Sequence, residues 1–277
     1  MEIEILEMGE MKGSFILKNS SPAMANALRR TMLTDIPKMA IDRVEFHLGA
    51  IMQDDKEYES VTPLFDEMIA HRLGMVPVPT DYQLFGYQKD CVCGGEGCPS
   101  CTIMYSINKI GPCTVLSGDM MPLGNPELAA KDQFIPIAEL TDGQAVLIYA
   151  TAVMGTAKTH AKWQAAFGVG YKYLPKITVD EKKAGDANTL KCAEMCPRDV
   201  FEVKGGKLKV KDPLNCSMCK ECETTSKGAV HAGADDTSFF FKYETDGSLK
   251  AKQVLDKAME IIASKSETTF AHLEEII

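Results

Sequence analysis

Apolar and polar residues alternate from the start of the chain. Ile3 and Ile5 interleave with Glu2 and Glu4, a turn follows around Gly9 to Gly13, and Phe15-Ile16-Leu17 resumes the pattern. Residues 1–20 therefore read as a β-hairpin. The period then changes. Ser20-Ser21-Pro22 supplies a serine N-cap with proline in the first turn. Along the following AMANALRRTMLTDI, residues Met24, Ala27, Leu28, Thr31 and Met32 recur at spacings of three and four, which predicts an amphipathic helix over 22–35 that Pro37 ends. From about 41 to 165 the texture is different, with short apolar runs such as VPVPT and MMPLGNP broken by glycine and proline. Strands are expected near 44–51, 103–107 and 146–153, and a short helix around Leu64 to Leu73. Residues 171–232 are rich in lysine and cysteine, and Gly205-Gly206 within VFEVKGGKLKV predicts a tight hairpin. Near the end Phe239, Phe241 and Tyr243 alternate with Phe240, Lys242 and Glu244 as in a strand. Asp246-Gly247-Ser248 makes a turn. The helix after it, over about 249–264, carries Ala251, Val254, Leu255, Ala258, Met259 and Ile262 on one side.

The length of 277 residues suggests two or three domains at roughly 150 residues each. A hydrophobic fraction of 45% and a charged fraction of 25% suit a folded globular chain, not a collagen, a coiled-coil rod or a disordered polymer. No apolar run approaches the ~20 residues that cross a bilayer. The N-terminal MEIEILEMGEMKG has no basic stretch leading into an apolar core, so no secretory signal and a cytoplasmic location are expected. The net charge of -9 argues against a protein that grips a phosphate backbone over its whole surface.

Ten cysteines in such a chain point to metal or redox chemistry, because disulfides are uncommon in reducing compartments. Nine lie in two runs and Cys113 stands alone. Cys216-x2-Cys219-x2-Cys222 has the spacing with which one loop grips three irons of a cubane cluster. The position that would carry the fourth cysteine is Ser226. In ferredoxin-type runs the cysteine before proline serves the other half-motif, so Cys196, followed by Pro197, completes the set. The expectation is one iron–sulfur cluster on Cys196, Cys216, Cys219 and Cys222, of the 4Fe-4S or the 3Fe-4S type, with structural zinc as the rival. Cys91, Cys93, Cys98 and Cys101, in the loop CVCGGEGCPSC, offer four thiolates suited to tetrahedral zinc. The competing reading there is a reduced, empty loop, or a disulfide formed on isolation. Cys113 and Cys192 read as packed residues.

No catalytic constellation stands out: the chain lacks a phosphate-binding glycine loop, H-E-x-x-H and G-x-S-x-G. Five scattered histidines do not supply one. Arg29 and Arg30 fit the carboxylates of a partner protein better than nucleic acid.

Several segments resemble a known family. Asn26-Ala27-Leu28-Arg29-Arg30-Thr31-Met32-Leu33 is similar to the N-A-L-R-R helix of the alpha-type subunits of DNA-directed RNA polymerase. Glu67-Met68-Ile69-Ala70-His71-Arg72-Leu73-Gly74 with Met75-Val76-Pro77, then His160-Ala161-Lys162-Trp163, then Glu244-Thr245-Asp246-Gly247-Ser248-Leu249, resemble further hallmarks of its archaeal and eukaryotic members. The cysteine run matches the ferredoxin-like insert of the archaeal D-type branch. The resemblance spans nearly the whole chain. It implies an α+β fold with a discontinuous dimerisation domain from 1–40 and 233–277 plus part of 154–175. It also implies an inserted mixed α/β domain over 41–165 and a ferredoxin-like iron–sulfur domain over 176–232. Asp186, Thr189 and Ser226 stand where two-cluster members carry cysteine, which leaves one cluster. The implied role is a non-catalytic assembly subunit that pairs with subunit L, joins subunits N and P and seeds assembly of the large catalytic subunits. The nucleotidyltransferase activity belongs to that complex, and DNA and RNA are met only through it. The implied partner-facing residues are Met24, Ala27, Leu28, Arg29, Arg30 and Thr31 on the first helix and Val254, Leu255, Ala258 and Ile262 on the last. The alternative function is a ferredoxin-type electron carrier.

Overall fold

The computed structural model describes residues 1–53, 56–60 and 62–276. In chain order the first half contains β1 (Glu2–Met8), β2 (Lys12–Lys18), α1 (Pro22–Thr34), β3 (Lys38–Phe46), β4 (Ala50–Gln53), β5 (Lys56–Glu59), α2 (Asp66–Met75) and β6 (Thr102–Ile110). Next come β7 (Cys113–Leu116), β8 (Met121–Pro122), β9 (Pro136–Leu140), β10 (Ala145–Gly155) and β11 (Ala166–Val179). The remainder is α3 (Ala187–Leu190), α4 (Cys192–Met195), β12 (Phe201–Lys204), β13 (Lys207–Val210), α5 (Glu221–Thr225), β14 (Val230–Thr245) and α6 (Ala251–Ile276). This is a mixed α+β chain. None of the described helices is long and apolar enough to cross a membrane.

The chain forms two compact units, each assembled from separated segments. The first comprises 1–7, 14–29 and 170–242. Its main sheet has the strand order β1-β2-β14-β11, so both chain ends contribute to one sheet. Phe15 and Phe241 stack there with centroids 4.8 Å apart, and Tyr171 stacks on Phe241 at 5.1 Å. The alternation of Phe239, Phe241 and Tyr243 holds, but Phe240 on the opposite face is buried as well, so this stretch is covered on both sides. A second, small core gathers Cys192, Val200, Phe201, Leu208, Cys216 and Val230 around the β12-β13 hairpin. Gly205 and Gly206 turn that hairpin with φ of 62° and 71°, where residues with a side chain are disfavoured.

The second unit comprises 8–13, 30–169 and 243–277. Its main sheet has the order β3-β10-β6-β8, and α2 packs Ile69 and Leu73 into the same core as Ile41, Tyr105 and Ile148. Asp66 and Glu67 occupy the first turn of α2, where they oppose the helix dipole. The strand expected over 44–51 is instead two strands, β3 ending at Phe46 and β4 starting at Ala50. Gly49 between them has φ of 124°, a conformation that breaks a strand.

Two ties, one local and one long-range, hold the start of α6 in this unit. Tyr243 Oη donates to the Ala251 carbonyl at 2.8 Å. Lys38, buried on β3, forms an ion pair with Asp246, and Asp246 also accepts from the Ser248 backbone amide at 3.0 Å. A Cβ on Gly155 would lie 2.4 Å from the Trp163 ring, whose Nε1 donates to the Val153 carbonyl at 3.0 Å. The ring cannot give way without losing that bond. Gly155→Ala should therefore destabilise the chain by ~1–3 kcal/mol, read as a lower midpoint in urea or thermal unfolding. An unchanged midpoint would show that the ring has room to move.

Candidate metal centres and partner-facing helices

The loop between α2 and β6 folds its four cysteines into a knot. Gly94, Gly95 and Gly97 adopt φ of 68°, 92° and 93°, which lets eleven residues close on themselves. The Gln88 side chain donates to the Gly95 carbonyl at 2.8 Å, and Thr102 Oγ1 donates to the Cys98 carbonyl at 3.0 Å. The sulfur of Cys91 lies 3.5 Å from that of Cys98, Cys93 lies 3.7 Å from Cys101, and Cys98 lies 3.8 Å from Cys101. Tetrahedral zinc with Zn–S bonds of ~2.3 Å separates its sulfurs by ~3.8 Å. Among the described residues this is the one group of three or more metal-ligating side chains whose donor atoms all lie within 4.8 Å of one another. Four close cysteines of this kind can hold a metal ion.

Backbone amides prepare one of these thiols. The N–H groups of Gly97 and Gly95 stabilise the Cys93 thiolate and bring its pKa down to about 6, whereas burial pushes Cys101 up to about 12. The proton count belongs to the set of four as much as to any one sulfur.

The second cysteine group is built differently. Cys196, Cys216, Cys219 and Cys222 all line one cleft in the first unit, walled by Met195, Val200 and Phe201. Three short elements converge on it. Cys196 follows α4, Cys216 ends a turn begun by Pro213, and Cys222 lies in α5. Met218 and Lys220 take φ of 56° and 62°, bending the backbone tightly between the ligands. The sulfurs are not gathered to the spacing of a single ion. Burial raises the Cys222 pKa to about 11, and the facing Cys192, Cys216 and Cys219 add to it.

Cys192 is packed, as its position outside the ligand set suggests, at 1% exposure. It also lines this cleft, which spacing alone did not reveal. Its thiol donates to the Cys222 carbonyl at 3.5 Å. Thr189 and Ser226 are buried, Ser226 accepts from the Val230 amide at 2.9 Å, and Asp186 is exposed at the head of α3.

The helices named as partner-facing divide in two. On α1, Leu28 and Thr31 are buried, Met24 and Arg29 are half-buried, and Ala27 and Arg30 are exposed. Ala25, absent from the expected stripe, is buried instead. The Arg29 guanidinium donates to Asn26 Oδ1 at 2.9 Å within the helix. On α6, Val254, Leu255 and Ala258 are already buried within this chain, and Ile262 is half-buried. The helix does not end near 264. It continues to Ile276 with every described residue from Ala263 onward exposed, including Phe270 at 64% and Leu273 at 51%. Lys265 on this stretch pairs with Asp35, which follows α1.

The hallmark motifs have structural work. His160 Nδ1 accepts from the Lys162 amide at 3.1 Å, Lys162 Nζ pairs with Asp42 at 2.5 Å and lies over the Trp163 ring at 4.3 Å, and Arg72 donates to the Ile137 carbonyl at 2.7 Å.

These features define a cysteine-rich α+β protein with two thiol sets and a C-terminal helix that outruns its own core. Residues 14–266 match the RNA polymerase Rpb3/Rpb11 dimerisation domain, and the chain belongs to that family. It is 43% identical over 260 residues to "DNA-directed RNA polymerase subunit Rpo3" of Thermoplasma volcanium, covering 94% of each chain. The protein of the same name from Archaeoglobus fulgidus is 41% identical over 99% of this chain and 98% of its own. That of Picrophilus torridus is 38% identical over 99% and 100%.

Proposed function

We propose that this chain is the D-type assembly subunit of an archaeal RNA polymerase. It pairs with an L-type subunit, joins N- and P-type subunits and carries the platform on which the large catalytic subunits assemble. Family membership and the names of the relatives support the class. The observation that carries the assembly role is the last half of α6, which presents Phe270, Leu273 and Ile276 to solvent. A helix of this length is marginal unless its apolar side is covered, and exposed apolar residues of this size mark a contact surface. The same reading assigns 1–40 and 233–277, with part of 154–175, to dimerisation, 41–165 to an inserted domain and 176–232 to a ferredoxin-like domain. Nothing in the comparisons favours an electron carrier.

In this reading Cys196, Cys216, Cys219 and Cys222 hold one iron–sulfur cluster, 4Fe-4S by ligand count, with 3Fe-4S as the form left after loss of one iron. Cys91, Cys93, Cys98 and Cys101 hold zinc. Both groups stabilise folded loops, because a coordinated metal binds only the assembled site.

The test is expression with and without an L-type partner, purified without oxygen. The isolated chain is expected to aggregate and the pair to be soluble and brown, with about four irons and four sulfides per chain. A well-behaved monomer that ignores the L-type partner would overturn the assembly reading. Cys98→Ser with Cys101→Ser should remove zinc and leave iron unchanged by metal analysis. Equal loss of both metals would mean the two sites are not independent.

A further inference from the structure

The cluster loop is held from outside by two cations that no part of the ligand pattern predicts. Three successive backbone carbonyls, those of Leu214, Asn215 and Cys216, accept hydrogen bonds from cationic side chains. Lys172 of β11 sends its ammonium to the first and third, the Cys216 carbonyl at 2.8 Å. Arg198 Nε donates to the second, at 3.3 Å. Arg198 lies two residues beyond Cys196, so its bond ties the Cys196 arm of the ligand set to the Cys216 arm. Lys172 ties both to the main sheet of the unit.

Charge makes this arrangement unusual. Lys172, Arg198 and Lys242 line one cleft together with Phe240, and no carboxylate lines it. Lys172 lies 5.6 Å and Lys242 5.2 Å from the centre of the Phe240 ring. Among the described residues none of the three forms an ion pair, although the chain is net acidic at -9. The nearby Asp212 carboxylate is engaged by the Leu214 amide at 3.0 Å. Lys172 is half-buried with the exposed Arg198 and Lys242 beside it, and like charges gathered in this way favour a nearby anion. Asp212 offsets part of this charge, and the further anion this unit would provide is a cluster bound at Cys216. An iron–sulfur cluster held by four thiolates is negatively charged, and more so when reduced.

We propose that Lys172, seconded by Arg198, is the positioning residue and fixed counter-charge of the iron–sulfur cluster, pinning the Cys216 arm and raising the cluster's reduction potential. This rests on the cluster assigned above. Hydrogen bonding and net charge around a cluster are the levers by which a protein sets its potential and its resistance to loss. A positive charge held at the Cys216 backbone favours the more negative, reduced state, so its removal lowers the potential. Removal also frees the Leu214 and Cys216 carbonyls and lets the loop open to oxygen.

The experiment uses the full chain co-expressed with its L-type partner and purified without oxygen, as parent, K172M, K172R and R198M. Iron and sulfide are counted, the midpoint potential is measured by redox titration followed by electron paramagnetic resonance, and bleaching in air is timed. K172M is expected to bleach several-fold faster than the parent at a more negative potential. K172R, which keeps the charge, should return the potential toward the parent value. A parent-like potential and bleaching rate in K172M overturn the proposal, and so does a K172R no different from K172M, which would reduce the lysine to packing. Should K172M load no cluster, R198M decides: faster bleaching at a lower potential upholds the clamp and an unchanged chain overturns it. A parent without iron and sulfide defeats the cluster assignment itself, and the parent's own metal content identifies that outcome before any variant is read.

Discussion

Cys219→Ser should remove the proposed iron–sulfur cluster and loosen the small core around it while leaving capture of the proposed L-type partner intact. Cys219 is exposed at the rim of its cleft, so serine there introduces no steric change in the interior. It removes one of four thiolates, and coordination stabilises only the folded site, so the loss falls on α3, α4, α5 and the β12-β13 hairpin. Those elements are short. The helices have four or five residues and the strands four, and pieces of that size do not persist without a core or a ligand. The proposed partner-facing end of α6 lies in a different part of the chain. Pull-downs should therefore show retained L-type subunit and weakened recovery of the large subunits. Loss of both, or of neither, would remove the division of labour between the two regions.

Lys38→Met should cost ~3–5 kcal/mol, the range for stranding one member of a buried ion pair. The Lys38 and Asp246 side chains are 3% and 10% exposed, so water cannot take the place of the missing ammonium. Lys38 also donates to the Gln164 carbonyl at 3.3 Å, and Asp246 organises the turn that starts α6. The single change thus unties β3, the segment after Trp163 and the base of the last helix together. Denaturant unfolding is the measurement. The companion K38M/D246N variant should recover part of the loss, because the amide leaves no unpaired charge and its Oδ1 still accepts from the Ser248 amide. A single variant within ~1 kcal/mol of the parent would mean that the pair is solvated in solution.

Elements defined by neighbours in sequence were legible in advance. Ser21 Oγ does accept from the Met24 amide, at 3.3 Å, at the start of α1, and Gly205-Gly206 does turn a hairpin. The four thiols of 91–101 meet because glycines close a short loop, a property written into eleven adjacent residues. The helix beyond 264 was missed. Its apolar residues thin out and its polar ones take over, so periodicity fades although the backbone hydrogen bonds continue.

The amino-acid sequence by itself determined the local bends, the helix starts, the two thiol sets and the family, because each depends on spacing within a few residues or on patterns along the whole chain. Tertiary structure alone decided which apolar faces this chain keeps for itself. Val254, Leu255 and Ala258 are buried in its own core, and the uncovered surface lies further along α6. It alone joined Lys38 to Asp246 across 208 positions and Lys172 to Cys216 across 44. An apolar stripe announces that it needs covering, but not by what. A cation announces a charge, but its partner is set by where the backbone carries it, and that is a property of the folded chain.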